Sequence, residues 1–379
     1  MKIAIIHEWL ETYAGSERVL EQLLACWPQA DVFAVCDFMP EAERGFLGGR
    51  TVRTSFIQRL PLARKHFRKY LGLMLIAIEQ FDLSGYDLVV SSSHAVAKGV
   101  ITGPGTLHVS YVHSPMRYAW DLQHQYLRQS NMERGLKGLY ARHLLARMRA
   151  WDQMSAARPD VIVANSSYIA ARVEKCWRRP SQVIHPPVDV AGFPFVEQKQ
   201  DYYLIASRVV PYKRMELVAE AFAGMPDRRL IVVGDGPSAA LVQTASAGAP
   251  NIDLRGRVGQ QELVSLMQGA RAAIFAAEED FGISTVEAQA CGTPVIAFGK
   301  GGACDIVRPG ETGLLFAEQS AASIQDAVRR FEALDVPIRA EACRANAERF
   351  GRDHFRAAIT ALVEGHMRRV AASKETPTS

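Results

Sequence analysis

Residues 190–206 read Val-Ala-Gly-Phe-Pro-Phe-Val-Glu-Gln-Lys-Gln-Asp-Tyr-Tyr-Leu-Ile-Ala. From Val190 to Asp201 neither a helical nor a strand period is kept, and Gly192 and Pro194 interrupt the chain, which marks a linker. Tyr203 to Ala206 then opens a short apolar strand, and a pattern already run once begins again. Upstream, Lys2 to Ile6, Asp31 to Val35, Leu88 to Ser91, Leu107 to Val112, Asp160 to Ala164 and Gln182 to His185 read as strands separated by helical stretches. Downstream, Tyr203 to Ala206, Leu230 to Val233, Ile252 to Leu254, Ala272 to Ala276, Thr293 to Ala297 and Leu314 to Phe316 do the same. Continuous apolar runs alternating with helices predict parallel sheets covered on both faces. The expected class is therefore α/β, with two doubly wound domains in tandem over residues 1–190 and 191–350. Residues 351–379 are expected to form a C-terminal helix that packs back toward the first domain and frays from Lys374. In such sheets ligands bind beyond the carboxyl ends of the strands. Two sheets facing a cleft would present those ends to one site, so residues just after strands carry the functional argument.

A chain of 379 residues suits two domains, and 48% hydrophobic with 22% charged residues is a globular composition. The six cysteines are scattered, without a Cys/His cluster, so neither a zinc site nor a disulfide scaffold is expected and a reducing cytoplasm fits. Met1 leads straight into a strand, so no signal peptide is expected. The longest apolar stretch, Leu71 to Ile78, is far short of the roughly 20 residues that cross a bilayer. A net charge of +4 is too mild for wholesale nucleic-acid binding. Yet no acidic residue lies between Glu43 and Glu79, a window that carries Arg59, Arg64, Lys65, Arg68 and Lys69 among apolar residues. It reads either as a surface docking on anionic lipid, at about 1 kcal/mol per cation, or as a solvated helix face. A second basic stretch from Arg134 to Arg149 leaves both readings open.

The strongest local signal is Ala277-Glu-Glu-Asp-Phe-Gly-Ile-Ser-Thr-Val-Glu-Ala-Gln-Ala-Cys-Gly-Thr-Pro-Val295. Ser284 and Glu287 have capping-box spacing, Gly292 suits a helix stop and Pro294 forbids continuation, so a short helix is predicted. Its free N–H groups, at Gly282, Ile283, Ser284 and Thr285, would receive an anion. Glu279 precedes the helix and Glu287 lies in its first turns; carboxylates accept hydrogen bonds from hydroxyls, which suits a sugar and a ribose. The plainer readings are a capping box for Glu287 and a solvated acidic loop for Glu278 to Asp280, or a cation-binding loop there.

Arg208 and Lys213 follow the first strand of the second domain, where they would neutralise a diphosphate without a cation, each charged hydrogen bond contributing about 1.5 to 3 kcal/mol. The alternative is a pair of exposed bases opening a helix, a poor place for positive charge. Gly15 lies before a helix start and would admit a ligand close to the backbone or simply turn the chain. His113 ends a strand and points to the same cleft, or is structural. Gly234-Asp-Gly-Pro237 lines the nucleotide pocket or merely turns. No G-x-G-x-x-G follows the first strand, Gly299-Lys300 lacks the rest of a P-loop, and no G-x-S-x-G occurs.

On these residues the chain resembles the large retaining glycosyltransferase family of two-Rossmann (GT-B) architecture called group 1 or family 4. Its most specific element is the pair Glu279 and Glu287, joined by Arg208 and Lys213. The resemblance implies that Glu279 holds donor-sugar hydroxyls, that Glu287 holds the ribose, and that Arg208 and Lys213 bind the diphosphate and stabilise the departing nucleotide. It also implies that Gly15 and His113 approach the donor from the first domain, with His113 counted among the catalytic groups. Two departures stand out: Ala14-Gly15 replaces a double glycine, and Asp280 follows Glu279 where the family carries glycine. Trp9…Gly15-Ser-Glu-Arg-Val-Leu20, Asp87-Leu-Val-Val-Ser-Ser-Ser-His94 and His113-Ser-Pro-Met-Arg-Tyr-Ala-Trp-Asp121 look most like bacterial mannosyltransferases of surface-polysaccharide assembly. The expectation is metal-independent, cofactor-free transfer of mannose from GDP-mannose, with retention. The acceptor would be a lipid-linked or growing saccharide at the inner membrane face, as in O-antigen and lipopolysaccharide synthesis. A glycoside hydrolase using Glu279 and Glu287, or a non-catalytic sugar-nucleotide-binding subunit, are the rival classes.

Overall fold

A computed structural model describes residues 1–375. Of the expected frayed tail, residues 376–379 lie outside the described residues. The chain divides into two compact units: Met1–His185 together with the residues from Phe355 on, and Pro186–His354.

In the first unit β1 (Ile3–His7), β2 (Asp31–Ala34), β3 (Val52–Thr54), β4 (Leu88–Ser93), β5 (Leu107–Val112), β6 (Val161–Ala164) and β7 (Gln182–Val183) form one sheet. All pairings are parallel, in the order β3-β2-β1-β4-β5-β6-β7. Every residue of β1 is buried, because the odd residues Ile3 and Ile5 enter one apolar layer and Ala4 and Ile6 the other. The edge strand β3 is the one strand not foreseen here: its three residues, Val-Arg-Thr, have no fully buried face and so no apolar run. Helix α1 (Gly15–Cys26) buries Val19, Leu20, Leu23 and Leu24 on the first layer, the spacing of one helical stripe. Helices α2 (Leu71–Glu79) and α3 (Gly135–Ser155) cover the second through Met74, Ala77, Ile78, Met148 and Trp151. A buried ion pair, Lys98 Nζ to Asp152 Oδ1 at 2.5 Å, anchors α3; the indole N–H groups of Trp120 and Trp177 also donate to Asp152. These extra bonds offset the desolvation of the two charges.

In the second unit β8 (Tyr203–Ala206), β9 (Leu230–Val233), β10 (Ile252–Gly256), β11 (Ala272–Phe275), β12 (Val295–Phe298) and β13 (Gly313–Phe316) are again wholly parallel, in the order β10-β9-β8-β11-β12-β13. Its helices include α4 (Met215–Ala223) and α5 (Ile283–Ala290), and α6 (Arg352–Glu375) begins in this unit. From Phe355 on, α6 belongs to the first unit, where Phe355, Ile359 and Val363, spaced by four, enter the core of Ile3 and Val90.

The stretch Val190 to Asp201 is not the linker expected of it, since the chain passes between units at His185–Pro186. Phe193 is buried, and the Lys199 ammonium donates to the carbonyls of Val196, Gln268 and Cys291 and to Thr293 Oγ1. One cation serving four acceptors ties this irregular stretch onto the second unit.

Each sheet reverses its strand order once, between β1 and β4 in the first unit and between β8 and β11 in the second. At such a switch point the connections leave to opposite sides and open a crevice beyond the strand ends.

Candidate functional site

In the second unit the loop after β8 carries Arg208 and Lys213, and the loop after β11 carries Glu279. Lys213 Nζ lies 2.5 Å from Glu279 Oε1, so the two loops are joined across the switch point. Arg208 is exposed, and among the described residues its guanidinium makes no ion pair. Neither basic residue opens α4, whose first residue is Met215; Lys213 ends a turn of 3-10 helix and Arg214 caps α4 in the left-handed region.

The backbone of Gly234–Pro237 holds the Arg208 loop. Ser207 N–H donates to Val233 O, Val209 N–H to Asp235 O, and Ser238 N–H to Val209 O, all within 3.0 Å. At Gly234 (φ +144°) a β-carbon would stand 1.9 Å from Ser207 O, and at Gly236 (φ +156°) 2.4 Å from Val209 O. Only glycine lets the two segments meet this closely.

The Glu279 loop is seated in the same way on the loop after β12. Gly302 N–H donates to Glu279 O at 2.9 Å, and a β-carbon at Gly302 would stand 2.2 Å from Phe281 Cα. Phe281 is buried, its ring 5.6 Å from that of Phe350. Gly282, at φ +100°, is the N-cap of α5, followed by Ile283 and Ser284 in the first turn. The predicted Ser284/Glu287 capping box is therefore absent. The left-handed entry needed to turn from Phe281 into α5 is available to Gly282, so the helix starts ahead of Ser284 and no side chain caps it. Glu287 is buried inside α5, and Gly292, at φ +78°, ends the helix as foreseen. Among the described residues no group of three or more His, Cys, Asp or Glu side chains is placed to hold a metal ion.

In the first unit the switch point gathers a different set of groups. Glu8, directly after β1 and fully buried, accepts from Ser93 Oγ and from the N–H groups of His94, Ala95, Val96 and Ala97 at 2.6 to 3.1 Å. Burial alone would raise its pKa, but His94 and these N–H donors hold it below the usual carboxylate range. His7 Nε2 meets Glu17 Oε1 at 3.1 Å, while Glu17 Oε2 accepts from Ala14 N–H and Ser16 Oγ. Against the opposing effect of burial, the bond to His7 holds the Glu17 pKa at about 2. Gly15 is the first residue of α1, between two groups that Glu17 gathers.

His113 follows β5; its Nε2 lies 2.8 Å from Ser92 Oγ, and its carbonyl accepts from Asn165. Burial, and then the nearby His94, push its pKa down to about 3, so the ring is neutral near pH 7. His7 and Glu8 went unremarked in the sequence, and Ser92 and His94 entered only as part of a quoted stretch, with no role assigned. A signal existed, since each lies at a strand end and Ser91-Ser92-Ser93-His94 closes an otherwise apolar strand.

The geometry thus offers, in one unit, a bridged Lys-Glu pair, a free guanidinium and a helix N-terminus around a switch point. This set can bind an anion and a polyol side by side. Sequence comparison identifies both units. A model described as "Glycosyltransferase Family 4" matches residues 13–191, and one described as "Glycosyl transferases group 1" matches residues 193–350. The chain belongs to the group 1, family 4 glycosyltransferases.

Relatives of this glycosyltransferase include a D-inositol 3-phosphate glycosyltransferase of Mycobacterium avium, 31% identical over 203 residues (47% of this chain, 48% of the relative). A GDP-mannose-dependent monoacylated alpha-(1-6)-phosphatidylinositol monomannoside mannosyltransferase of Corynebacterium glutamicum is 34% identical over 166 residues (40% and 41%). The chain spans about half the length of the curated relatives it matches. Among solved structures, HepE of Anabaena in complex with UDP superposes with a TM-score of 0.66 at 18% identity, over 96% of this chain and 100% of that one. Sucrose-phosphate synthase of Thermosynechococcus elongatus gives 0.70 at 18% identity, over 97% and 100%. These likenesses show the GT-B fold of the family.

Proposed function

We propose that this glycosyltransferase moves a hexose, mannose from GDP-mannose, with retention of configuration onto a lipid-linked or growing saccharide of a bacterial surface polysaccharide. The observation that carries the reading is the Lys213–Glu279 pair across the β8/β11 switch point, with exposed Arg208 and the start of α5 beside it. In the donor complex Arg208 and Lys213 bind the diphosphate, Glu279 accepts from sugar hydroxyls, Glu287 accepts from the ribose, and the N–H groups after Gly282 face developing negative charge. The nucleotide departs from an oxocarbenium-like centre. With two basic side chains meeting the diphosphate, charge neutralisation needs no metal ion. His113, neutral and held at Nε2 by Ser92, is a hydrogen-bonding group rather than a cation.

The choice of donor is supported by the Corynebacterium relative, which is GDP-mannose-dependent by name. A uridine nucleotide is the second reading, because the Anabaena neighbour was solved with UDP and with UDP-glucose. The hydrolase reading is disfavoured because Lys213 occupies an oxygen of Glu279, and a hydrolytic pair leaves the basic residues without a task. Transfer assays with GDP-mannose and UDP-glucose against a panel of lipid-linked acceptors decide the matter. Mannosyl transfer with an α-product from the α-donor supports the reading, and hydrolysis of a nucleotide-free oligosaccharide overturns it.

A further inference from the structure

The turn from Lys213 into α4 is made against two local preferences. Arg214 has φ +52° and ψ +35°, and in the second unit it is the one described residue other than glycine with a positive φ. The left-handed region crowds Cβ against the carbonyl oxygen, so glycine takes such a position without strain and arginine does not. Arg214 is also the N-cap of α4, where the helix dipole disfavours a cation. Core packing begins only at the next residue, Met215, whereas the Arg214 side chain is 39% exposed.

The sheet places this turn on the crevice. Alternate residues of β8 face opposite layers: Tyr203 and Ile205 pack with Met215, Val218 and Phe222 of α4, and Leu204 and Ala206 with Phe281, Val286 and Ala290. The helices that follow β8 and β11 therefore lie on opposite faces of the sheet, and their first residues border the switch-point crevice from its two sides. Gly282 stands on the α5 side. Lys213 and Arg214 stand on the α4 side, from which Lys213 crosses to Glu279.

Arg214 has unused donors on that border. Its Nε donates to Glu216 Oε1 at 2.8 Å, and among the described residues this is the one bond of its guanidinium. Glu216, in the first turn of α4, thus fixes the planar fork from one edge and leaves Nη1 and Nη2 unengaged. That end-on edge matches two oxygens of a phosphate with two parallel N–H groups.

We infer that Arg214 is a third donor-binding cation, which grips the diphosphate through Nη1 and Nη2 alongside Arg208 and Lys213. The inference rests on the proposed function, in which a sugar nucleotide occupies this crevice. Its ground is a residue that opposes both its own backbone and the helix it caps, at a turn that the fold alone would give to glycine. Strain of this kind collects where a ligand is held.

The test is calorimetric titration of the full chain with GDP-mannose, UDP-glucose, UDP-N-acetylglucosamine and ADP-glucose, with thermal melting beside it. It compares the wild type with Arg214→Gly, Arg214→Asn and Arg214→Lys. Glycine and asparagine accept the left-handed turn more readily. Both variants should therefore melt at the wild-type temperature or above it, while the donor that the wild type takes binds about tenfold more weakly or worse. Lysine restores the charge without the fork and should recover part of that loss. A residue that served only the fold would not move stability and affinity in opposite directions. Wild-type affinity in either neutral variant, weaker binding only together with a lower melting temperature, or a lysine variant no tighter than the glycine one overturns the inference and leaves the proposed function standing. A wild type that binds none of the four sugar nucleotides defeats the proposed function, and the inference with it.

Discussion

Lys213 Nζ stands 2.5 Å from Glu279 Oε1, and the two residues arrive on loops from β8 and β11, the strands that flank the reversal of the second sheet. Each thus holds the other in the crevice before a donor arrives. Under the proposed function, Lys213→Ala and Arg208→Ala each lose about 2 to 4 kcal/mol of transition-state stabilisation, read as a fall in kcat. Because Lys213 also positions Glu279, the double variant Lys213→Ala/Glu279→Ala should fall well short of the product of the single losses. Steady-state transfer rates check this; unchanged turnover in Arg208→Ala removes its role.

The Arg208 loop owes its position to a glycine. Gly234→Ala puts a methyl group where Ser207 O now stands and forces a left-handed φ on alanine. Strain of this kind costs roughly 1 to 3 kcal/mol. Urea denaturation should report that loss, and donor affinity should fall with it. Gly248→Ala is the control, also at a positive φ (+78°) but with nothing within 4 Å of the added methyl, and should leave the donor site unaffected.

His113 should not titrate between pH 5 and pH 8. With a folded pKa of about 3 against about 6.5 when unfolded, the folded chain binds fewer protons in that interval, so this group lowers stability as the pH falls from 6.5 toward 3. Imidazole nitrogen shifts should show one neutral tautomer throughout. A midpoint near 6.5 would contradict the burial argument and make the ring available as a cation.

Glu17 has the opposite sign. Its carboxyl, held at about 2 by His7, stabilises the fold fully above about pH 4.5, and that contribution is lost as the pH falls through 2. Glu17→Gln should therefore lower stability at pH 7 by roughly 3 kcal/mol and flatten the acid limb. Denaturation midpoints at pH 7, 4 and 3 measure it, and parallel curves for the two proteins would refute it.

Both sheets were legible because buried parallel strands are apolar without interruption, as in Ile3 to Ile6 and Leu230–Val233. The strand Val52–Thr54 was not, since an edge strand with half-exposed residues has no apolar run. Glu279, Lys213 and Arg208 were legible from their places after strands. The start of α5 was misread because the Ser284/Glu287 spacing imitates a cap, whereas backbone handedness at Gly282 decides the matter. Gly301 and Gly302 follow Gly299-Lys300, which was read only as a failed P-loop; their closeness to Glu279 and Phe281 is a tertiary contact that no local pattern records. The partnership of Glu8 with His94 was hidden for a similar reason, since it joins residues 86 positions apart.

The central claim is that the β8/β11 switch point binds a sugar nucleotide through its diphosphate. Calorimetric titration of wild type, Arg208→Ala and Glu279→Ala with GDP-mannose, UDP-glucose, UDP-N-acetylglucosamine and ADP-glucose, each with and without EDTA, tests it most directly. The account predicts that GDP-mannose binds, that the chelator changes nothing, and that each substitution weakens binding about tenfold or more. Binding that vanishes with EDTA, or that keeps its full affinity in both variants, would contradict it.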